Sequence, residues 1–250
     1  MDVDTYLKRM TYQGSLEPTY ETLRALQVAH LMTVPFENLS IHAAQPIVLT
    51  EDALYDKVVL RRRGGFCFEL NGLFAALLRS LGFNVTIISA SMAHDDGTFG
   101  PELDHLTLLV HLAEDWLVDV GNGDSFRTPL NIHDPSEHVE GEQVYRLEHT
   151  DGRWLLQKRS GDGEWQPEYH FTTRPHELED FVERCQYYQY SPLSPFITRG
   201  RMCSLATPTG RITLHKLRLI TTTHGQREEQ VLTSEEEYTQ ILAQSFGMVL

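Results

Sequence analysis

The chain has 250 residues, 41% hydrophobic and 10% aromatic, which suits one large globular domain or a few small layers sharing a core and excludes a disordered chain. Its formal charge of −14 excludes a general nucleic-acid binder, because phosphate recognition wants a basic face. The three cysteines, Cys67, Cys185 and Cys203, are odd in number and the chain is too large to need disulfide staples, so reduced thiols and a cytoplasmic setting are expected.

The opening MDVDTYLKRM has no apolar signal core and no run nears membrane-spanning length, so no membrane partner is expected. From Glu17 to Thr33, Leu23, Leu26, Ala29 or His30, and Met32 or Thr33 fall near helical spacing, with Pro18 suited to a first turn. TEDALYDKVVL predicts a second helix, capped by Thr50 with acids in its first turn. A third runs from Cys67 to Ser80 and closes at Gly82, with Leu70, Phe74, Leu77, Leu78 and Leu81 at steps of three and four.

At residue 84 the period changes. NVTIISASM, HLTLLVHL and WLVDVG read as strands, and VYRLEHTDGRWLLQKRSGDGEWQPEYHF as a meander turning at Asp151-Gly152 and Gly161-Asp162-Gly163. The tail holds RITLHKLRLITTT, a turn at His224-Gly225, EEQVLT, and a final helix, SEEEYTQILAQSF, with a serine cap and a stop at Gly247. Helices followed by a meander and a small α/β end define an α+β class.

RRRGGFCFELNGLF, residues 61–74, carries the chemistry. A thiol attacks as thiolate, and a helix N-terminus and a nearby imidazolium both favour that form. Cys67 stands where its helix begins, among first-turn N–H groups that can also hold a developing oxyanion, while Gly64 and Gly65 permit close backbone approach. A buried cysteine acting as a small hydrophobe is the bland alternative. The partner must be a histidine held by a carboxylate or amide. Among twelve histidines, His105 stands out because it opens the strand HLTLLV and because the next strand carries Asp119 between Val118 and Val120. A carboxylate buried there needs a partner. The even separation of His105 and Asp119 lets them share a face, but a tight turn at Ala113–Asp115 offsets them along the ladder, so contact is expected to need a bulge or a displaced turn. Spacing alone leaves open that Asp119 pairs with backbone or an arginine.

Five segments, in order, resemble the arylamine N-acetyltransferases over nearly the whole chain: VPFENLSIH at 34–42, RGGFCFELN at 63–71, DHLTLLV, LVDVGNG and YSPLSPF at 190–196. The resemblance implies a catalytic Cys67–His105–Asp119 triad in a cysteine-protease-like core. It implies three parts: a helical bundle (1–83), an antiparallel β-barrel (84–190) and a small C-terminal α/β lid (191–250). It further implies that the thiolate takes acetyl from the co-substrate acetyl-CoA and passes it to a small aromatic amine, hydrazine or N-hydroxyarylamine. No permanently bound cofactor and no metal are implied, and a monomer or weak homo-oligomer is expected. The substrate pocket would comprise Phe36, the backbone around Leu103 and Asp104, Asn122 and Phe196, with an oxyanion hole from the N–H groups of Cys67 and Leu103.

Two departures bear on the pocket. Asn122 replaces the family's usual Phe in VGFG, and Glu102 and Asp104 put acids before His105, either at the pocket mouth or pointing to solvent. Arg63 is expected to pair internally with Glu37 or Glu69; Arg61 and Arg62 are expected to be solvated helix-end charges. Glu69 and Asn71 read as scaffold, and Cys185 and Cys203 as structural. A papain-like protease fails on spacing, since its histidine follows the cysteine by roughly 130–150 residues. A transglutaminase-like hydrolase remains a weak rival, as does a relative that closes macrocyclic amides from a long acyl thioester. No Gly-x-Ser-x-Gly elbow, phosphate loop or paired Cys-x-x-Cys is present, and HELED lacks a zincin's second histidine.

Overall fold

Side-chain oxygens that serve otherwise unbonded N–H groups set the first two helix starts, while Thr50 stands at the predicted cap position without a capping hydrogen bond. In the computed structural model, which describes residues 1–249, Asp2 caps α1 (Val3–Arg9) and Thr19 caps α2 (Tyr20–Thr33). Pro18 therefore precedes the cap instead of occupying the first turn. The two-residue strand β1 (Phe36–Glu37) and the single turn α3 (Leu39–His42) follow. Where one uniform helix was predicted, α4 (Glu51–Tyr55) passes into a π-helical turn, Asp56–Leu60. That widened turn carries Lys57, a buried cation; such turns collect at functional sites. The helix α5 (Cys67–Ser80) has its predicted bounds, and Gly82, just past its end, takes a φ of 88° that only glycine adopts without strain.

Eight strands form one antiparallel sheet: β2 (Asn84–Met92), β3 (His105–His111), β4 (Asp115–Val118), β5 (Leu130–Asn131), β6 (His138–Glu140), β7 (Gln143–Thr150), β8 (Arg153–Ser160) and β9 (Gln166–His176). Their order is β5-β4-β3-β2-β9-β8-β7-β6. Leu117 and Leu130 from one flank share a buried cluster with Tyr145 and Leu156 from the other, so the sheet curls into a nearly closed barrel. Bulges at Ile88/Ala90 and Leu156/Gln157 sharpen the curl. After β9 come α6 (Val182–Tyr190) and α7 (Pro195–Thr198). Phe181, Cys185 and Tyr188 share one buried cluster with α5 and with Val85, Leu106 and Val118 of the barrel strands.

A second sheet holds β10 (Met202–Thr207), β11 (Gly210–His215), β12 (Arg218–Thr223) and β13 (Gln226–Val231), with β1 on its edge beside β10. The tract RITLHKLRLITTT is a hairpin turned at Lys216 (φ 53°). Helix α8 (Glu235–Phe246) packs Tyr238, Leu242 and Phe246 onto this sheet, starting at its Ser234 cap and ending at Gly247 as predicted. The architecture is α+β. Through β1, the C-terminal sheet reaches the segment that lies against Cys67.

Candidate active site

Cys67 opens α5 because the preceding loop is pinned against residues 35–37. The Glu37 N–H donates to the Gly65 carbonyl at 2.8 Å and the Gly65 N–H to that of Pro35 at 3.3 Å. A side chain on Gly64 would run into the Pro35 carbonyl, and one on Gly65 into Glu69. Four buried charges brace this contact. Arg63 donates to Glu37 at 2.8 Å, as one of the two expected pairings, whereas Glu69 takes Lys57 at 2.7 Å. The carboxylates also receive backbone donors, Leu39 N–H on Glu37 and Phe66 N–H on Glu69. Burial opposes ionisation of both; Lys57 and Arg63 outweigh it at Glu37 and lower its pKa, while Glu69, repelled by Glu37, stays raised. Arg61 is exposed and pairs with Asp56 at 2.8 Å, as a solvated charge should.

His105 and Asp119 meet without the bulge or displaced turn expected. The β3–β4 ladder pairs Leu108 with Val118 and His111 with Asp115, which would set Thr107 opposite residue 119. The strand ends at Val118, however, and the imidazole reaches the carboxylate diagonally, a span open to long or aromatic side chains. His105 Nε2 lies 2.7 Å from Asp119 Oδ2. The Tyr169 hydroxyl donates to the same oxygen at 3.3 Å, and Asn71 Nδ2 and the Gly121 N–H donate to Oδ1 at 2.9 and 2.8 Å. Asn71 also bonds the Leu106 carbonyl and the Val120 N–H, tying α5 to both strand ends. With Nε2 on Asp119, Nδ1 is the ring nitrogen left to face Cys67, which opens α5. Burial disfavours a charged ring, but the Asp119 carboxylate and the Cys67 thiol outweigh it and raise the His105 pKa. Asp119 is lowered: burial is overcome by His105, Asn71 and Gly121. A buried carboxylate holds the imidazole and is tied through Asn71 to the helix that Cys67 opens, an arrangement suited to nucleophilic catalysis.

Of the predicted pocket residues, Phe36 and Phe196 come together, ring centroids 6.2 Å apart, with Phe66 at 5.1 Å from Phe196. Gly123 lies against the Phe36 ring, and a side chain on Gly121 would stand 2.6 Å from Cys67 Cα, so the 121–123 loop borders the Cys67 backbone. Asn122 in that loop is half-buried and donates to Glu168 at 3.3 Å. Two expectations need correction. Asp104 is not at a mouth or in solvent: it is 4% exposed and closed off by Arg184 and Tyr188, since a buried carboxylate requires compensation. The Leu103 N–H is committed to Ser89 Oγ at 2.7 Å and is not a free oxyanion donor; of the two acids, Glu102 is the exposed one.

The N-acetyltransferase family model matches residues 19–250, and the arylamine N-acetyltransferase / N-hydroxyarylamine O-acetyltransferase of Salmonella typhimurium is 34% identical over 97% of this chain and 87% of its own. The chain belongs to the arylamine N-acetyltransferase family. It is an acyltransferase. Within that family, proansamycin X synthase of Amycolatopsis mediterranei is 31% identical over 97% of this chain and 95% of its own. The structure of the Mycobacterium marinum arylamine N-acetyltransferase in complex with CoA superposes with a TM-score of 0.90 at 30% identity, covering 99% of this chain and 93% of that one.

Sequence reasoning missed Lys57, Tyr169, Arg184 and Tyr188. Lys57 shows no local signal, since its burial depends on the π-turn. Tyr169 sits in a strand where an inward tyrosine looks like any core aromatic; its hydroxyl finds Asp119 only through the β2–β9 pairing. Cys185 and Cys203 are buried and free, with burial pushing Cys185 up to about 12 and raising Cys203 as well, which suits thiols with no part in chemistry.

Proposed function

We propose that the protein transfers acetyl from acetyl-CoA to an arylamine, hydrazine or N-hydroxyarylamine by a ping-pong route through a Cys67 thioester. The observation that carries this is the buried His105–Asp119 pair, tied through Asn71 to the helix that Cys67 opens. The thiolate attacks the thioester carbonyl, and the oxyanion gathers near the Cys67 and Phe68 N–H groups, which open the helix and have no partner four residues back within it. CoA departs as its thiolate and takes a proton from the His105 imidazolium. The amine then attacks the acetyl-cysteine, His105 accepts the amine proton, and the Cys67 thiolate leaves. Asp119 orients the imidazole and stabilises its charged form. Phe36 and Phe196 offer the aromatic walls for a flat acceptor. The relative that binds CoA and those named for arylamine acetylation support both co-substrates.

Initial rates over a grid of acetyl-CoA and arylamine concentrations are expected to give parallel double-reciprocal lines; intersecting lines would contradict a free acetyl-enzyme. A second reading is an amide synthase acting on a long acyl thioester, favoured by the identity to proansamycin X synthase and by the polar Asn122. Turnover of a long-chain acyl thioester with negligible turnover of acetyl-CoA would select it.

A further inference from the structure

Tyr188 stands between the two loops that deliver the thiol and the imidazole. Its ring contacts those of Phe66 and Phe68, the neighbours of Cys67 on either side, with centroids 6.1 and 5.7 Å away, and packs edge-on to Phe196 at 4.9 Å. Its hydroxyl lies 2.9 Å from the carbonyl of Asp104, the residue before His105, and also against the Asp104 carboxylate. One turn earlier on α6, Arg184 donates to that carboxylate through Nε at 3.1 Å and through Nη2, and its guanidinium stacks over Tyr187 and Tyr188. Tyr188 and Asp104 are buried; Arg184 closes the cluster from the surface side.

The segment it grips is one that needs gripping. Leu103 has a φ of 63°, a left-handed conformation that a γ-branched residue adopts only when its surroundings enforce it. The Ser89 hydroxyl satisfies its N–H, and the Asp104 contacts fix the following peptide. Without α6, the 103–104 turn would relax, and His105 is the first residue to feel it. Burial and the Asp104 carboxylate keep the Tyr188 phenol protonated far above its usual range, so it serves as a fixed donor.

We propose that Tyr188 and Arg184 are positioning residues, a clamp from α6 that sets the distance and angle between the Cys67 thiol and the His105 imidazole by holding Phe66, Phe68 and Asp104 at once. The clamp rests on the thiolate reading given above. It touches neither reacting atom, so its loss slows the chemical step without weakening substrate binding, and a misplacement of about 1 Å can cost up to about 100-fold.

The test uses Tyr188→Phe, which keeps the ring and removes the hydroxyl, and Arg184→Met, closer to the surface, with Arg184→Lys as the conservative counterpart. Two readouts are taken on folded protein of matched Tm: the rate of Cys67 alkylation by iodoacetamide, followed by peptide mass, and kcat against KM for acetyl-CoA and an arylamine. Expected is rapid alkylation of wild-type Cys67, about tenfold slower alkylation and lower kcat in Tyr188→Phe and Arg184→Met with both KM values unchanged, and partial rescue in Arg184→Lys. Adding Asp104→Asn to Arg184→Met is expected to bring little further loss, since both remove the Arg184–Asp104 ion pair. Rapid wild-type alkylation with wild-type rates in both variants would overturn the clamp and leave the thiolate reading intact. Wild-type Cys67 reacting no faster than an ordinary free thiol would overturn the thiolate reading and the clamp with it.

Discussion

The loop before Cys67 and the loop before His105 each hold in place a side chain of the proposed triad, with different materials. The first is pinned by neighbours in sequence: two glycines that let backbones touch, and the Arg63, Lys57, Glu37 and Glu69 charges, all buried. The second contains a left-handed Leu103 and is pinned from far along the chain, by Ser89 on one side and by Arg184 and Tyr188 on the other. A nucleophile at a helix start comes with a local motif, because the helix dictates its surroundings. A base at a strand end does not, because its surroundings are whatever the fold delivers.

The sharpest cut through the first loop is Cys67→Ser. It is expected to fold with an unchanged Tm and to lose acetyl transfer by on the order of 10⁴-fold; substantial residual turnover would remove the cysteine from the chemistry. Next is Lys57→Met, which strands Glu69 and weakens the compensation of Glu37. A loss of about 3–5 kcal/mol in urea unfolding is expected, largely recovered by adding Glu69→Gln. If the double variant is no better than the single, the network is not what braces this loop.

Much of that first region was legible. The bounds of α5 follow from residues close together in sequence, whereas the partners of Arg63 and Asn71 lie 26 to 49 residues away and their internal roles are read from the RGGFCFELN motif. Asp119 was legible as a carboxylate in need of a partner because valines flank it, but its diagonal reach to His105 was not, since the end of β4 at Val118 leaves no mark in the sequence. Helix α6 escaped notice because VERCQYYQY has few aliphatic residues to show a period, and its burial rests on Cys185 and Tyr188 alone among its apolar positions. With α6 unseen, Asp104 looked like a surface acid. The same gap hid Lys57, whose inward turn depends on the π-helical step after Tyr55.

Smaller effects separate packing from charge. Gly121→Ala would place a methyl 2.6 Å from Cys67 Cα and 2.7 Å from Asn71 Nδ2, and a loss of about 1–3 kcal/mol with a lower kcat is expected; a variant with wild-type Tm and rate would show that the 121–123 loop is not seated on the start of α5. Away from both loops, His30 is fully buried beside Tyr6, and burial lowers its pKa to about 3. The unfolded chain then binds the extra proton between about 6.5 and 3, so stability falls as pH drops through that window. The loss between pH 7 and pH 5 comes to about 2 kcal/mol. His30→Gln is expected to show a flatter decline over that range, and an equally steep one would assign the loss to other groups. Asn122→Phe should raise kcat/KM for flat arylamines by about two- to tenfold through ring packing; unchanged values across a panel would place residue 122 outside the acceptor contact.

The covalent route is tested most directly by the intact mass of the protein after mixing with acetyl-CoA and no acceptor, followed by peptide mapping. One added acetyl group on Cys67, discharged when an arylamine is supplied, is the expected result. A folded protein that gains no mass, or carries the acetyl elsewhere, would contradict it.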